Sequence, residues 1–196
     1  MHAARTDKVR TKFSAPIRPA RPASASAVDW PSAIHRRFKS WNVKQVAHVP
    51  DAGHTKLIKL CGADPDITLV PLTTEEEGVA LLGGAYLGGA RGALLMQSSG
   101  VGNCINMFSL TLSCRFPLLM LVTMRGEWGE FNPWQVPMGQ SARTVLELSG
   151  VTCFRAETAE EVEPAVEAAA RMAYEGPRSC AVMLAQKLIG VKTFGK

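Results

Sequence analysis

Short runs of almost uniformly apolar residues, each followed by a helix-like stretch, constrain this chain more than any other feature. The runs are Val43 to Val49, Ile67 to Leu72, Ala93 to Met96, Pro117 to Thr123, Val151 to Phe154 and Ser179 to Leu184. A strand with one wet face alternates apolar and polar residues, and most of these do not, so helices are expected on both faces. Helix patterns fall at Pro31 to about Trp41, after the turn Pro50 to His54 as far as about Cys61, from about Glu75, from Gly102 to about Cys114, at about 140–149 and at about 158–175. Pro31 suits a first helical turn and Gly62 a helix end. A strand-helix unit repeated about six times predicts an α/β fold, a doubly wound parallel sheet of about six strands. The 196 residues suffice for one such domain, and no solenoid period is present.

Charge is distributed unevenly. The formal net charge is +5, and residues 1–27 account for all of it, with six basic residues against Asp7 alone. The remainder is balanced, which gives no support for a nucleic-acid-binding body. The tail, rich in Ala, Arg, Pro and Ser, reads as disordered. An organellar presequence and an arm that orders on a partner are its other readings. The body of the domain is expected over 28–196. Five scattered cysteines without a C-x-x-C pair point to a reduced, cytoplasmic setting. No run reaches the ~18 apolar residues of a membrane helix, and no long apolar segment opens the chain.

The densest chemistry lies between Thr73 and Leu110. Glu75, Glu76 and Glu77 follow one apolar run and open a helix rich in Gly and Ala. Acidic residues are favoured at a helix start, so each taken singly reads as part of a solvated first turn. A carboxylate buried among small residues would instead hold a proton more readily and could serve as acid or base. Gly83, Gly84, Gly88 and Gly89 each lower helix propensity by ~1 kcal/mol, which a closely approaching helix or cofactor would justify. The turn Gln97-Ser98-Ser99-Gly100-Val101-Gly102-Asn103 is neither a phosphate loop with lysine nor G-x-G-x-x-G, since Ile105 stands where the third glycine belongs. Its small residues permit close approach by a planar ligand, or only a tight strand-to-helix turn.

Two further places carry candidates. His48 and His54 bracket Pro50-Asp51 without a ligand set at zinc spacing, so no metal site is expected. His54 and Asp51 follow a strand, at the end of the sheet where ligands bind. His48 alternates with apolar residues and reads as structural. The stretch from Met124 to Gly139 is a long loop mixing aromatics with charge, either functional or an interface. Within it Arg125 could bind an anionic group.

Taken together, Glu76 with Gly78 two residues on, Tyr86, the run Met96 to Asn103 and Asn106 resemble the pyrimidine-binding domain of thiamine diphosphate enzymes. Val49-Pro50-Asp51 and Gln135-Val136-Pro137-Met138-Gly139 narrow the resemblance to sulfopyruvate and phosphonopyruvate decarboxylases, and within them to an α subunit. The match spans roughly residues 30–190.

The resemblance implies a carbon–carbon lyase that converts a 2-oxo acid to an aldehyde and CO₂. It implies Glu76 as the carboxylate on N1′ of the cofactor's aminopyrimidine. Gln97, Ser98, Ser99, Gly100, Val101, Gly102, Asn103 and Asn106 would line the cofactor. Asp51 and His54 would face the substrate as proton-transfer or polar groups, with Arg125 and Gln135 contacting it. The family's Gly-Asp-Gly motif, which with a downstream Asn holds Mg²⁺, is absent. The implied arrangement is therefore split: a β subunit supplies the Mg²⁺ and diphosphate site in a hetero-oligomer with at least two copies of each chain. A carboligase of the same cofactor class, a non-catalytic subunit of the same fold, and a Rossmann-type module disfavoured by the glycine spacing are the competing readings.

Overall fold

The computed structural model describes residues 28–190; the basic tail of 1–27 and residues 191–196 lie outside them. Helix α1 (Trp30–Ser40) leads into β1 (Val43–His48), α2 (Thr55–Ala63), β2 (Thr68–Pro71) and α3 (Glu75–Leu87). Then follow β3 (Arg91–Gln97), α4 (Ser98–Asn103), α5 (Phe108–Ser113), β4 (Leu118–Thr123) and α6 (Val136–Leu148). The chain closes with β5 (Thr152–Ala156), α7 (Ala159–Tyr174), β6 (Ser179–Leu184) and α8 (Gln186–Ile189). The six strands form one all-parallel sheet in the order β2-β1-β3-β4-β6-β5.

Apolar residues on both faces of the strands feed two cores. Val46, Leu95, Leu121 and Val182 face one way and meet Ile34 and Phe38 of α1, Leu57 of α2 and Val162 and Val166 of α7. Their neighbours Ala47, Leu94, Met96, Met120 and Val122 face the other way, against Val79, Val101, Phe108, Ala142 and Leu146. Period-two alternation here sorts apolar side chains between two helical layers rather than between core and water. Each fully buried Leu contributes ~1.5–3 kcal/mol.

Three local expectations shift. The glycine turn is itself helical: α4 begins at Ser98 directly after extended Gln97, ends at Asn103, and a separate α5 starts at Phe108. Gly100 and Gly102 weaken the continuous helix expected over 102–114. The long loop is shorter than expected, because a 3₁₀ turn at Pro133–Gln135 runs into α6 at Val136, with Pro137 in its first turn. Gly139 then lies inside α6, where a β-carbon would collide with the Arg125 carbonyl. Finally, α2 continues through Gly62 to Ala63.

From β1 the chain steps outward to β2, then returns to place β3 on the other side of β1. The carboxyl ends of β1 and β3 therefore flank a topological switch point, where open α/β sheets bind ligands.

Candidate active site at the carboxyl edge of the sheet

Asp51 stands just beyond β1, with Gln97 ending β3 and Thr123 ending β4. Gln97 and Thr123 are register partners, so their side chains arrive side by side. Gln97 Nε2 donates to Asp51 Oδ1 at 3.0 Å, and Thr123 Oγ1 donates to Oδ2 at 2.7 Å. The Gly53 N–H adds a third donor at 3.0 Å. Gln97 Oε1 in turn accepts from Ser99 Oγ at 2.9 Å and from Gln135 Nε2 at 3.0 Å. One amide thus joins Asp51, Ser99 and Gln135 across four segments of the chain. Thr123 was not singled out from the sequence; the available signal was a hydroxyl closing an otherwise apolar strand.

His54 lies under this network, fully buried, its Nδ1 3.9 Å from Asp51 Oδ2. Neither ring nitrogen has a hydrogen-bond partner. Burial lowers its pKa to about 4, opposed by the Asp51 charge and reinforced by His48, so the ring is neutral near pH 7. His48 is also buried, its pKa lowered by desolvation, and its Nδ1 is unpartnered. Gln135 Oε1 is a fourth buried orphan. Buried polar groups usually find hydrogen-bond partners.

Arg125 reaches the same place, but not as a free cation. It lines a cavity of about 120 Å³ with Asp51, Gly53, Thr123 and Ile189. Its Nε and Nη2 are spent on Glu130, at 2.5 and 2.6 Å. Arg125 holds the Glu130 carboxyl down at about 2. Fully buried Gln186 fastens this loop: its Oε1 accepts from the backbone N–H groups of Glu127 and Trp128, and its Nε2 donates to Glu130. Gln186 is not marked in the sequence, because the four-residue α8 has no period to detect.

The carboxylates at the head of α3 divide into three roles. Glu75 is buried, accepts from Asn103 Nδ2 at 2.8 Å, and lies where a β-carbon on Gly100 would stand. It is therefore no solvated member of an acidic turn, and the reason is the close approach that Gly100 permits. Glu77 Oε2 accepts from the Thr73 N–H at 2.8 Å and ties down the entry to α3. Glu76 is exposed and makes no hydrogen bond or ion pair among the described residues. It lies close enough to the α4 end that its charge, with that of Glu75, adds to the burial that raises the Cys104 thiol to about 12.

The other turn residues separate similarly. Ser98 is buried, its Oγ accepting from the Arg125 N–H at 3.1 Å, which joins the ends of β3 and β4. Val101 is core. Gly102 lies beside Met138. Asn103 and Asn106 are exposed, Asn103 holding Glu75. Two clusters result at one edge of the sheet: Asp51, His54, Gln97, Ser99, Thr123, Arg125 and Gln135 in one, and Glu75, Glu76, Gly100 and Asn103 in the other. Among the described residues no group of three or more potential metal ligands gathers, and no helix is long and apolar enough to cross a membrane.

The α subunit of sulfopyruvate decarboxylase from Methanocaldococcus jannaschii is 35% identical to this chain over 144 residues, 73% of this chain and 85% of the relative. The chain belongs to the sulfopyruvate decarboxylase α-subunit family. The corresponding subunit from Methanococcus maripaludis is 34% identical over 153 residues, covering 92% of its length. The phosphonopyruvate decarboxylase of Streptomyces viridochromogenes is 37% identical over 108 residues, of which the match covers 27%. No protein-family profile matches. Among solved structures, a thiamin diphosphate-dependent enzyme of Mycobacterium smegmatis superposes with TM-score 0.66 at 15% identity, over 85% of this chain and 34% of the other. A 2-oxoglutarate:ferredoxin oxidoreductase from Magnetococcus marinus gives 0.63 at 12%, over 82% and 29%. These two establish the fold, an α/β architecture that forms about a third of each larger chain.

Proposed function

We propose that this member of the sulfopyruvate decarboxylase α-subunit family is the pyrimidine-binding subunit of a heteromeric, thiamine diphosphate-dependent 2-oxo acid decarboxylase. It would act only when a β subunit supplies the Mg²⁺ and diphosphate site, in an assembly with at least two copies of each chain. Sulfopyruvate and phosphonopyruvate are the substrate candidates, and the free cysteines suit a cytoplasmic setting.

The observation that carries this reading is the unspent carboxylate at Glu76. Glu75 is committed to Asn103 and Glu77 to the Thr73 N–H, while Glu76 stands exposed at the same helix end. A cofactor shared across a subunit interface requires a carboxylate that is open until the partner covers it. The residues fit the group: Glu76 for a ring nitrogen, the small residues of α4 for a planar ring, and the orphaned Gln135 Oε1 for a donor. Thiamine diphosphate, when bound, supplies the nucleophilic carbon and the electron sink for loss of CO₂.

The chain's own residues do the rest. Glu76 holds and exchanges a proton at its carboxylate. Asp51, fixed by three donors, presents a negative charge beside the cavity, and neutral His54 below it can take a proton without first losing one. Arg125 orders the rim through Glu130 and does not neutralise a substrate anion unaided.

Burial favours a second reading, in which Glu75 is the activating carboxylate and Glu76 a surface residue. Reconstitution with the β subunit separates them. CO₂ release from sulfopyruvate and phosphonopyruvate is measured for wild type, Glu76→Gln and Glu75→Gln, together with cofactor affinity. Collapse in Glu76→Gln with folding intact supports the reading; collapse confined to Glu75→Gln moves the role by one residue. Mg²⁺-dependent turnover by the chain alone overturns the split site.

A further inference from the structure

At the opposite edge of the sheet, beside the amino ends of β4 and β6, lies a cavity of about 410 Å³. Tyr86, Leu112, Arg115, Pro177, Arg178 and Ser179 are among its lining. Arg115 and Arg178 are exposed, and among the described residues neither side chain makes a hydrogen bond or ion pair. Most other arginines in the described fold are paired, Arg125 with Glu130 and Arg155 with Glu127 and Glu157 among them. The two arginines that line this space carry up to ten side-chain N–H donors between them, with no acceptor among the described residues.

Arg115 also occupies an unfavourable backbone position. Its φ is +55°, left-handed, just past the end of α5, where glycine or asparagine is usual. At the end of α6, beside the same cavity, the left-handed position is held by a glycine, Gly150 at φ +79°. Arginine has no backbone advantage at such a site.

A bland reading assigns both arginines to the partial negative charge of those helix ends. Yet several of the terminal carbonyls are closed by backbone N–H groups: Leu110 by Cys114, Leu146 by Val151 and Ser149, Arg171 by Glu175 and Met172 by Gly176. Neither guanidinium reaches them. Arg178 also contributes its carbonyl to the Leu118 N–H, so its main chain is anchored while its side chain is not.

We propose that this cavity is an anion-binding site for a phosphate-class oxyanion, distinct from the site around Asp51. The two arginines grip the oxyanion, and the Tyr86 ring with Leu112 and Pro177 offers an apolar wall to any organic body attached to it. Strands of about six residues separate the two edges by ~20 Å, so occupancy here can reach the other edge only through the sheet and its helices.

The test uses the full chain, with inorganic phosphate and adenosine monophosphate as probes in calorimetric titration and thermal melting. Wild type is expected to bind saturably, with a rise in Tm and an affinity that falls with added salt. Arg178→Gln should weaken binding by tenfold or more. Arg115→Gly should do the same while raising the Tm of the unliganded chain, because glycine adopts the left-handed conformation freely. Phosphate binding equal to that of the nucleotide identifies an inorganic anion; tighter nucleotide binding that Tyr86→Ala abolishes identifies an organic phosphate. Absence of saturable binding, or full affinity in either arginine variant, overturns the proposal.

Discussion

Around Asp51 the carboxylate is held by three donors from three segments, while at the head of α3 the Glu76 carboxylate has no hydrogen bond or ion pair among the described residues. Both lie at one edge of one sheet, and the difference lies in which elements surround them. Asp51 stands between the ends of β1, β3 and β4, in the middle of the sheet, where neighbouring strand ends supply donors. Glu76 sits on the outward side of a helix whose inward side is already filled by Glu75. The first region is organised within the chain; in the second, Glu76 is exposed and unpaired among the described residues. Under the proposed function, this contrast would let a well-folded subunit depend on a partner for activity.

The largest expected effect breaks the comparison at its open end. Glu76→Gln in the reconstituted assembly should reduce decarboxylation by ~10²–10⁴-fold. Its urea-unfolding free energy should stay within ~0.5 kcal/mol of wild type, as for an exposed residue without contacts. Wild-type turnover in this variant would remove Glu76 from the chemistry.

The next effect belongs to the closed end and is read by pH. His54 has a folded-state pKa of about 4 against 6.5 unfolded, so between these values the unfolded chain binds the extra proton. Stability is therefore full above about pH 6.5 and falls as the pH drops toward 4, by an amount on the order of 2–3 kcal/mol. Denaturant titrations at pH 7, 5.5 and 4.5 should show this slope, and His54→Leu should flatten it. A slope unchanged in that variant would mean that other groups set the acid limit.

Smaller losses sharpen the contrast between internal and external partners. Thr123→Val leaves Asp51 one donor short and should cost ~1–2 kcal/mol. Glu75→Gln should cost ~1 kcal/mol through weakened pairing with Asn103, since a charged acceptor becomes a neutral one. Glu77→Gln at the entry of α3 should cost no more than ~0.5 kcal/mol. If Glu75→Gln proved as tolerant as Glu77→Gln, the charge of Glu75 would add nothing to its pairing with Asn103.

Every strand was legible in the sequence, because short, uniformly apolar runs set among helix patterns fit little besides a buried strand. Ser179–Leu184 coincides with its expected bounds, and the others differ by three residues or fewer at either end. Helix bounds failed where glycine and proline were read as breakers: α4 contains Gly100 and Gly102, and α6 starts at Val136 around Pro137. Propensity is a weak prior, and a helix end packed against a neighbouring carbonyl or carboxylate overrides it. The candidate site was legible as a set of places, in that Asp51, His54, Gln97, Ser99 and Gln135, all named from the sequence, lie together at one edge of the sheet. It was not legible as a network, since nothing local marks Thr123 or Gln186 as the groups that hold Asp51 and Glu130.

The amino-acid sequence by itself determined the α/β class, the six strands and the concentration of polar residues at strand ends, because these follow from periodicity and composition within short windows. Tertiary structure alone decided what each candidate is free to do. Three adjacent glutamates became a buried acceptor, an open carboxylate and an entry tie, since successive helical residues point about 100° apart and meet different surroundings. Arg125 likewise lost its free charge to a carboxylate five residues away, because the turn between them folds Glu130 back onto it in a site from which water is largely excluded.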